Sequence, residues 1–445
     1  MEYKMKKGFR CNLKCWIFLI ILFNLIKAQG FDTLWTKTYG GTLSDVGFSI
    51  AKTFDNKFVL TGYTNSFGVH GPDYYILKID ENGEILWPRT YGGIYRDEAY
   101  SIAATSDSGA IVCGWSSSFV SGRNIWIVKL DSLGDTLWTK LHRGQGYSFG
   151  RCIRELYDGN YMVCGYRETT PLLLKLNTNG DTIWAKHYGW GQFFSFLQTQ
   201  DSGFIAVGIR DISKLLIQRV NKYGDSLWAK TYRAETASCA YHIASTSDNG
   251  YIVSGYTWTG YDYNGYILRL NSYGDTLWTK VYGGTGNEII YSVIESEDQC
   301  FLATGYTSSY GAGAEDIWLL KLNAQGDTLW TKTIGDTGAE CAHSILKASD
   351  NSYLILGYTT SWGAGWADFY LLKLESQTGV VYDLSKPSFR RESKTIILNG
   401  PIPQKLLKDY RIFDCVGRKV TKINSGIYFL IGKDNRVRKK LIRLE

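Results

Sequence analysis

Leu130-Asp131-Ser132-Leu133-Gly134-Asp135-Thr136-Leu137-Trp138-Thr139-Lys140 decides the fold, because the chain repeats this string seven times with small changes. Its Trp sets the register: Trp35, Trp87, Trp138, Trp184, Trp228, Trp278 and Trp330, at intervals of 52, 51, 46, 44, 50 and 52 residues. A period near 50 marks a repeat architecture. Outward from Trp138, one unit holds four strand-like runs: 99–106, 110–115, 125–130 and 135–140. Gly, Asp and Asn separate them, as hairpin turns require. The third run is apolar at consecutive positions, as in Ile317-Trp318-Leu319-Leu320 and Phe369-Tyr370-Leu371-Leu372, so both of its faces must be covered. Radially stacked four-stranded sheets give that cover. The expected fold is all-β, a seven-bladed β-propeller.

The seventh unit runs through Leu374 and lacks a fourth strand with the marker Trp, while Phe31 to Tyr39 is a marker run with no strands before it. The N-terminal run is therefore expected to complete the last blade and close the ring. Gly379-Val380-Val381-Tyr382-Asp383 is the rival fourth strand.

Two kinds of turn follow. First-to-second turns are short and carry Asp in every unit (Asp55, Asp107, Asp158, Asp201, Asp248, Asp298, Asp350), and third-to-fourth turns are nearly uniform. The other two connections are longer, Gly-rich and variable, and open on the opposite face, where binding loops usually lie.

The 445 residues are 44 % hydrophobic, 20 % charged and 15 % aromatic, which excludes disorder and collagen. The net charge of +7 hides three unlike segments. Residues 1–28 carry +5 and 387–445 carry +10, leaving −8 for the body. No nucleic acid partner is expected for such a body. Lys4, Lys6, Lys7, Arg10 and Lys14 precede an apolar run from Cys15 to Ile26, and Ala28 is a small residue at a cleavage point. This reads as a secretory signal peptide over 1–28, too short for a transmembrane span. The expected plan is 1–28 signal, 29–385 propeller, and 386–445 linker plus a small β-sandwich-like domain. The product is secreted or on the outer cell surface. Cys113, Cys152, Cys164, Cys239, Cys300, Cys341 and Cys415 remain after cleavage, with no zinc-like spacing; Cys113 and Cys164, at the same point of two successive repeats, are read as small buried side chains in a strand.

Strings such as GDTLWTKTYGG, SDNGYIVSGYT and DIWLLKLN resemble the propeller repeats of secreted proteins from the Bacteroidetes and neighbouring bacterial lineages, over roughly 31–375. Kelch and WD40 signatures are absent from the sequence. Tyr410-Arg411-Ile412-Phe413-Asp414-Cys415-Val416-Gly417-Arg418-Lys419-Val420, then Gly426-Ile427-Tyr428-Phe429 and the basic strand Lys440 to Leu444, resembles a short type IX secretion C-terminal sorting domain. Residues 387–445 would then engage secretion machinery. The family's usual Asn-Pro start is replaced by Asn399-Gly400-Pro401.

The sequence holds no HExxH or Walker loop, and its five His fall at unrelated phases. Asp45, Asp97, Glu288 and Glu340 share one position in the fourth-to-first loops, and Asp73, Asp316 and Asp368 precede the third strands. Such a ring of carboxylates is suited to Ca²⁺ or a cationic ligand, or to accepting N–H groups within each loop. The second use is favoured, since repetition reflects the blade. Tyr310 and Trp362 are the expected aromatic anchors for a protein or glycan on this face. A binding or adhesion scaffold is the expected function. An oxidoreductase or carbohydrate-active propeller is the alternative, since the Trp138 string resembles the tryptophan-docking motif of quinoprotein dehydrogenases, without its Thr-Gly pair or eight blades.

Overall fold

The computed structural model describes residues 32–375, apart from 145, 212 and 233–236, together with the backbone of four strands beyond residue 394. Residues 1–28 and Cys415 lie outside the described residues. The chain divides into two units, Met1–Glu375 and Ser376–Glu445.

The first unit is a seven-bladed β-propeller of antiparallel four-stranded sheets. Blades 1 to 6 span 45–91, 97–142, 148–187, 192–232, 237–282 and 288–334; blade 7 spans 340–374. Thr33–Tyr39 pairs with Asp368–Leu374 and is the fourth strand of blade 7, so the N-terminal run closes the ring as expected. The apolar third strands are covered on both faces: all seven residues of Asp73–Ile79, Asn124–Leu130, Asp316–Leu322 and Asp368–Leu374 are buried. Between blades 2 and 3, for example, Ile111, Ile125 and Ile127 pack on Ile153, Val163, Leu172 and Leu174. Each such residue contributes about 2 kcal/mol of burial.

The quoted string is a docking device. In the fourth strand, Trp, Lys and Tyr are spaced by two, so they share one side of the strand. Where all three are present, as in Trp278, Lys280 and Tyr282, they reach the Gly-Asp turn of the next blade. Trp138 Nε1 donates to the Thr178 carbonyl at 3.2 Å, and Lys140 pairs with Asp181 at 2.7 Å. Tyr39, Tyr91, Tyr188 and Tyr282 each donate to the carbonyl of the turn Gly at 2.7 Å. That Gly has φ near +80°, as at Gly134 and Gly180. A Cβ on Gly180 would meet the Trp138 ring at 2.7 Å, so only glycine lets the indole lie flat on the turn. The marker Trp therefore acts between blades, half-buried at the rim rather than wedged in the core.

Five of the six described cysteines are buried, and all six are free thiols. In the second unit Thr395–Asn399, Arg411–Asp414, Gly426–Ile431 and Val437–Leu444 form one mixed sheet, with the first parallel to the last. The sandwich expected there is represented, among the described residues, by this single sheet.

Candidate functional site

On the long-loop face the second-to-third connections of blades 6, 7, 1 and 2 are long (308–315, 360–367, 65–72, 117–123), and those of blades 3, 4 and 5 are short (168–169, 211–213, 259–262). The seven carboxylates expected on this face all fall in the four long-loop blades. They are not arrayed around an open mouth: Asp45, Asp97, Glu288 and Glu340 are fully buried, and Asp73, Asp316 and Asp368 nearly so.

Each of them ties a loop. Asp45 Oδ2 accepts from Gly41 N at 2.8 Å and Ser66 Oγ at 2.7 Å, and Asp97 Oδ2 accepts from Gly93 N at 2.9 Å and Ser118 Oγ at 2.6 Å. Glu288 accepts from Gly284 N and the Thr307 hydroxyl, both at 2.8 Å. Glu340 accepts from Asp336 N at 2.9 Å, the Thr359 hydroxyl at 2.8 Å and Ser361 N at 3.1 Å. The third-strand acids hold the other loop: Asp73 accepts from Val69 N, Asp316 from Ala312 N and Gly313 N, and Asp368 from Ala364 N and Gly365 N.

At three successive blade junctions the acids come in pairs, Asp316 with Glu340, Asp368 with Asp45, and Asp73 with Asp97, each pair flanking a glycine. A Cβ on Gly92 would stand 1.8 Å from Asp73 Oδ1 and 2.9 Å from Asp97 Oδ2. Burial, and then the Asp97 charge, push the Asp73 carboxyl up to about 6. At the junction of blades 5 and 6 the pair is Asn264 with Glu288 instead, around Gly283. No group of three or more His, Cys, Asp or Glu among the described residues is arranged to hold a metal ion.

Above these ties lies an arc of exposed aromatic rings that sequence reading saw only in part. Tyr310 and Trp362 are half-exposed, and Phe67 and Phe119 occupy the same place in blades 1 and 2. Each leans on an aromatic ring of its own third strand: Phe67 on Tyr75 at 5.4 Å, Phe119 on Trp126 at 4.9 Å, Tyr310 on Trp318 at 6.4 Å and Trp362 on Tyr370 at 5.2 Å. Trp366, 77 % exposed, and Tyr95 extend the arc. The signal for Phe67 and Phe119 was their offset, three residues after Thr64 and Ser116, matching Tyr310 and Trp362 after Thr307 and Thr359.

The central channel was not anticipated. Every innermost strand has a β-bulge at the same point. The extra residue it inserts is Phe48, Tyr100, Arg151, Phe194, Tyr241, Tyr291 or His343. These seven side chains form an unbroken ring. Successive centroids lie 5.2 Å apart for Phe48–Tyr100, Phe194–Tyr241 likewise, and 4.9 Å for Tyr241–Tyr291, Tyr291–His343 and His343–Phe48. The Arg151 guanidinium closes the gap, 4.2 Å from the Tyr100 centroid and 5.4 Å from that of Phe194. His343 Nδ1 is 2.9 Å from the Gly47 carbonyl, so that nitrogen carries the ring proton, and burial holds the imidazole down at about 4.

Tyr63, Tyr166, Tyr256, Tyr306 and Tyr358 contact or back this ring from the second strands. On its other side is a funnel of about 1240 Å³, whose walls run past Thr53, Phe54, Asn56 and Ser247 to the short-turn face. The aromatic ring is its floor.

No protein family matches the sequence, and no curated protein matches it. The fold has solved counterparts. Raptor from Chaetomium thermophilum is similar over 84 % of this chain and 33 % of its own length, with 10 % identity and a TM-score of 0.51. Sqt1 from Chaetomium thermophilum, bound to the N-terminus of ribosomal protein L10, is similar over 78 % of this chain and all of its own, with 10 % identity and a TM-score of 0.48. BamB from Moraxella catarrhalis covers the same shares with 12 % identity and a TM-score of 0.41. These are likenesses of fold alone.

Proposed function

We propose that the chain is a secreted or cell-surface binding and adhesion scaffold that holds a protein or a glycan on the long-loop face of blades 6, 7, 1 and 2. The observation that carries this reading is the arc formed by Tyr310, Trp362, Trp366, Phe67, Tyr95 and Phe119, exposed on loops that buried carboxylates hold in place. Exposed aromatics on a monomer's surface are costly unless something covers them, and fixed loops lower the entropy lost on binding. The marker Trp rings are occupied in blade docking, which weighs against the quinoprotein reading.

Export rests on the sequence: a signal peptide over 1–28, with 387–445 as a type IX-like address. The net charges of +10 on that segment and −8 on the body support its being a separate module.

Screening the purified protein against a glycan array and a library of surface proteins, and repeating each hit with the Tyr310→Ala, Trp362→Ala and Trp366→Ala variants, tests the binding face. Affinity is expected to fall about tenfold or more in at least one variant. Hits indifferent to all three changes would move the site off this face.

A further inference from the structure

The walls of the central funnel are seven copies of one strand, so each level of the wall offers six internal comparisons. Two levels are broken by the same strand, Ser148–Glu155 of blade 3. In the ring, Arg151 stands among aromatic residues and a histidine. Three residues on, Arg154 stands where the other blades place Ala51, Ala103, Leu197, Ala244, Ile294 and Leu346. Alanine or a larger apolar residue thus meets the needs of the fold at this position. The arginine requires another explanation.

Neither guanidinium is neutralised. Among the described residues no carboxylate forms an ion pair with Arg151 or Arg154, and the Nε of each is buried without a hydrogen-bond partner. The acids on the same wall are engaged with turns: Glu155 accepts from the N–H and hydroxyl of Ser106, both at 2.7 Å, and Glu295 from those of Ser247 at 2.6 and 2.9 Å. Arg151 spends one Nη on the Tyr166 hydroxyl at 3.3 Å, but the two buried Nε donors are left over, which favours an anion that satisfies them.

The neighbouring polar groups are donors as well. His242 Nδ1 accepts from Val293 N at 3.4 Å, which leaves the ring proton on Nε2. Ser101 Oγ accepts from Ile153 N at 3.2 Å and its hydroxyl also meets the Cys152 sulfur, whereas Ser49 Oγ accepts from Ile102 N at 3.3 Å and keeps its proton to donate. Lys52 adds positive charge to the same lining, where Lys347 is paired with Glu297. Cations outnumber acids along this lining, Lys52, Arg151, Arg154 and Lys347 against Glu155 and Glu295, inside a body of net negative charge.

We propose that the funnel is an anion site: it binds an oxyanion group, with Arg154 as the principal contact and Arg151, His242 Nε2 and the Ser49 hydroxyl as further donors. The bearer of that group enters from the short-turn face, and the volume leaves room for it to extend towards the mouth. This site lies on the other side of the aromatic ring from the loop arc and does not depend on what the arc binds.

Calorimetry and thermal melting of the full protein with inorganic phosphate, sulfate, acetate and glucuronate, at fixed ionic strength against chloride, test the proposal. The first two probes against the last two separate a tetrahedral oxyanion from a carboxylate. At least one is expected to bind and to raise the melting temperature. Arg154→Ala, which installs the residue of blades 1, 2 and 5, should weaken that binding about tenfold or more without lowering the melting temperature of the unliganded protein. Arg154→Lys, which keeps the charge and loses the fork, should fall between. Tyr310→Ala should leave it unchanged. If none of the four anions binds, or if Arg154→Ala binds as tightly as the native protein, the proposal is wrong.

Discussion

On the short-turn face seven aspartates, one per blade, each meet a Lys or Arg of their own third strand: Lys78–Asp55, Lys129–Asp107, Lys175–Asp158, Arg219–Asp201, Arg269–Asp248, Lys321–Asp298 and Lys373–Asp350, at 2.5 to 3.1 Å. On the long-loop face seven other acids meet N–H and hydroxyl donors and, at three junctions, one another. The first set repeats without exception around the ring. The second stops where the loops become short. Uniform repetition therefore marks what holds a blade together, and interrupted repetition marks what a particular arc of the molecule has been shaped for.

The same substitution should have opposite signs on the two faces. Asp107→Asn removes the charge opposite the Lys129 ammonium, whose side chain is only 2 % exposed, and is expected to cost about 2 kcal/mol in chemical denaturation. The exposed half of Asp107 keeps that figure below the value for a fully buried pair. Asp73→Asn reproduces the Asn264–Glu288 arrangement in blade 1 and removes a buried like charge. At pH 7 it is expected to raise stability by about 1 kcal/mol. Equal signs for the two variants would break the contrast.

A smaller effect at neutral pH, and a sharper one in acid, is expected in the channel. Burial holds His343 of the ring at about 4 and His242 of the funnel wall at about 3, and pushes His142, on the outermost strand of blade 2, down to about 4. Their folded values lie below the unfolded one, so the stability they contribute is complete above pH 6.5 and declines as pH falls towards 4, where the unfolded chain takes up protons that the native ring refuses. Asp73, raised to about 6, acts the other way over part of this window, since its proton is bound more tightly in the native state. His343→Tyr, the residue of blades 2, 5 and 6 in this ring, should change stability little at pH 7 and flatten the decline in melting temperature between pH 6.5 and 4. An unchanged acid profile would remove His343 from the account.

Much of this was legible because the chain repeats. The Trp register, the apolar third strands and the orphan run at 31–39 specify blades, their number and the closure. The positions of the acids were legible too, but their pairing was not: Asp73 and Asp97 belong to different blades, and only the curvature of the ring brings them around Gly92. The aromatic floor escaped notice because its members differ, from Phe48 to Arg151 to His343, and because a bulge shifts them out of strand alternation. Their shared place, one residue before Ser49, Ser101, Cys152, Ser195, His242, Ser292 and Ser344, was the available clue. Arg154 becomes visible only when the blades are laid over one another.

The closing strand also has a mechanical consequence. Asp368–Leu374, the last strand of the propeller, is held by Thr33–Tyr39 on one side and Tyr353–Thr359 on the other, and Glu375 N donates to the Asp32 carbonyl at 2.9 Å where the chain leaves it. Tension applied through residue 375 along the strand loads two ladders together in shear, instead of opening one rung after another. Load entering the propeller from beyond that residue is therefore borne by the same hydrogen bonds that close the ring.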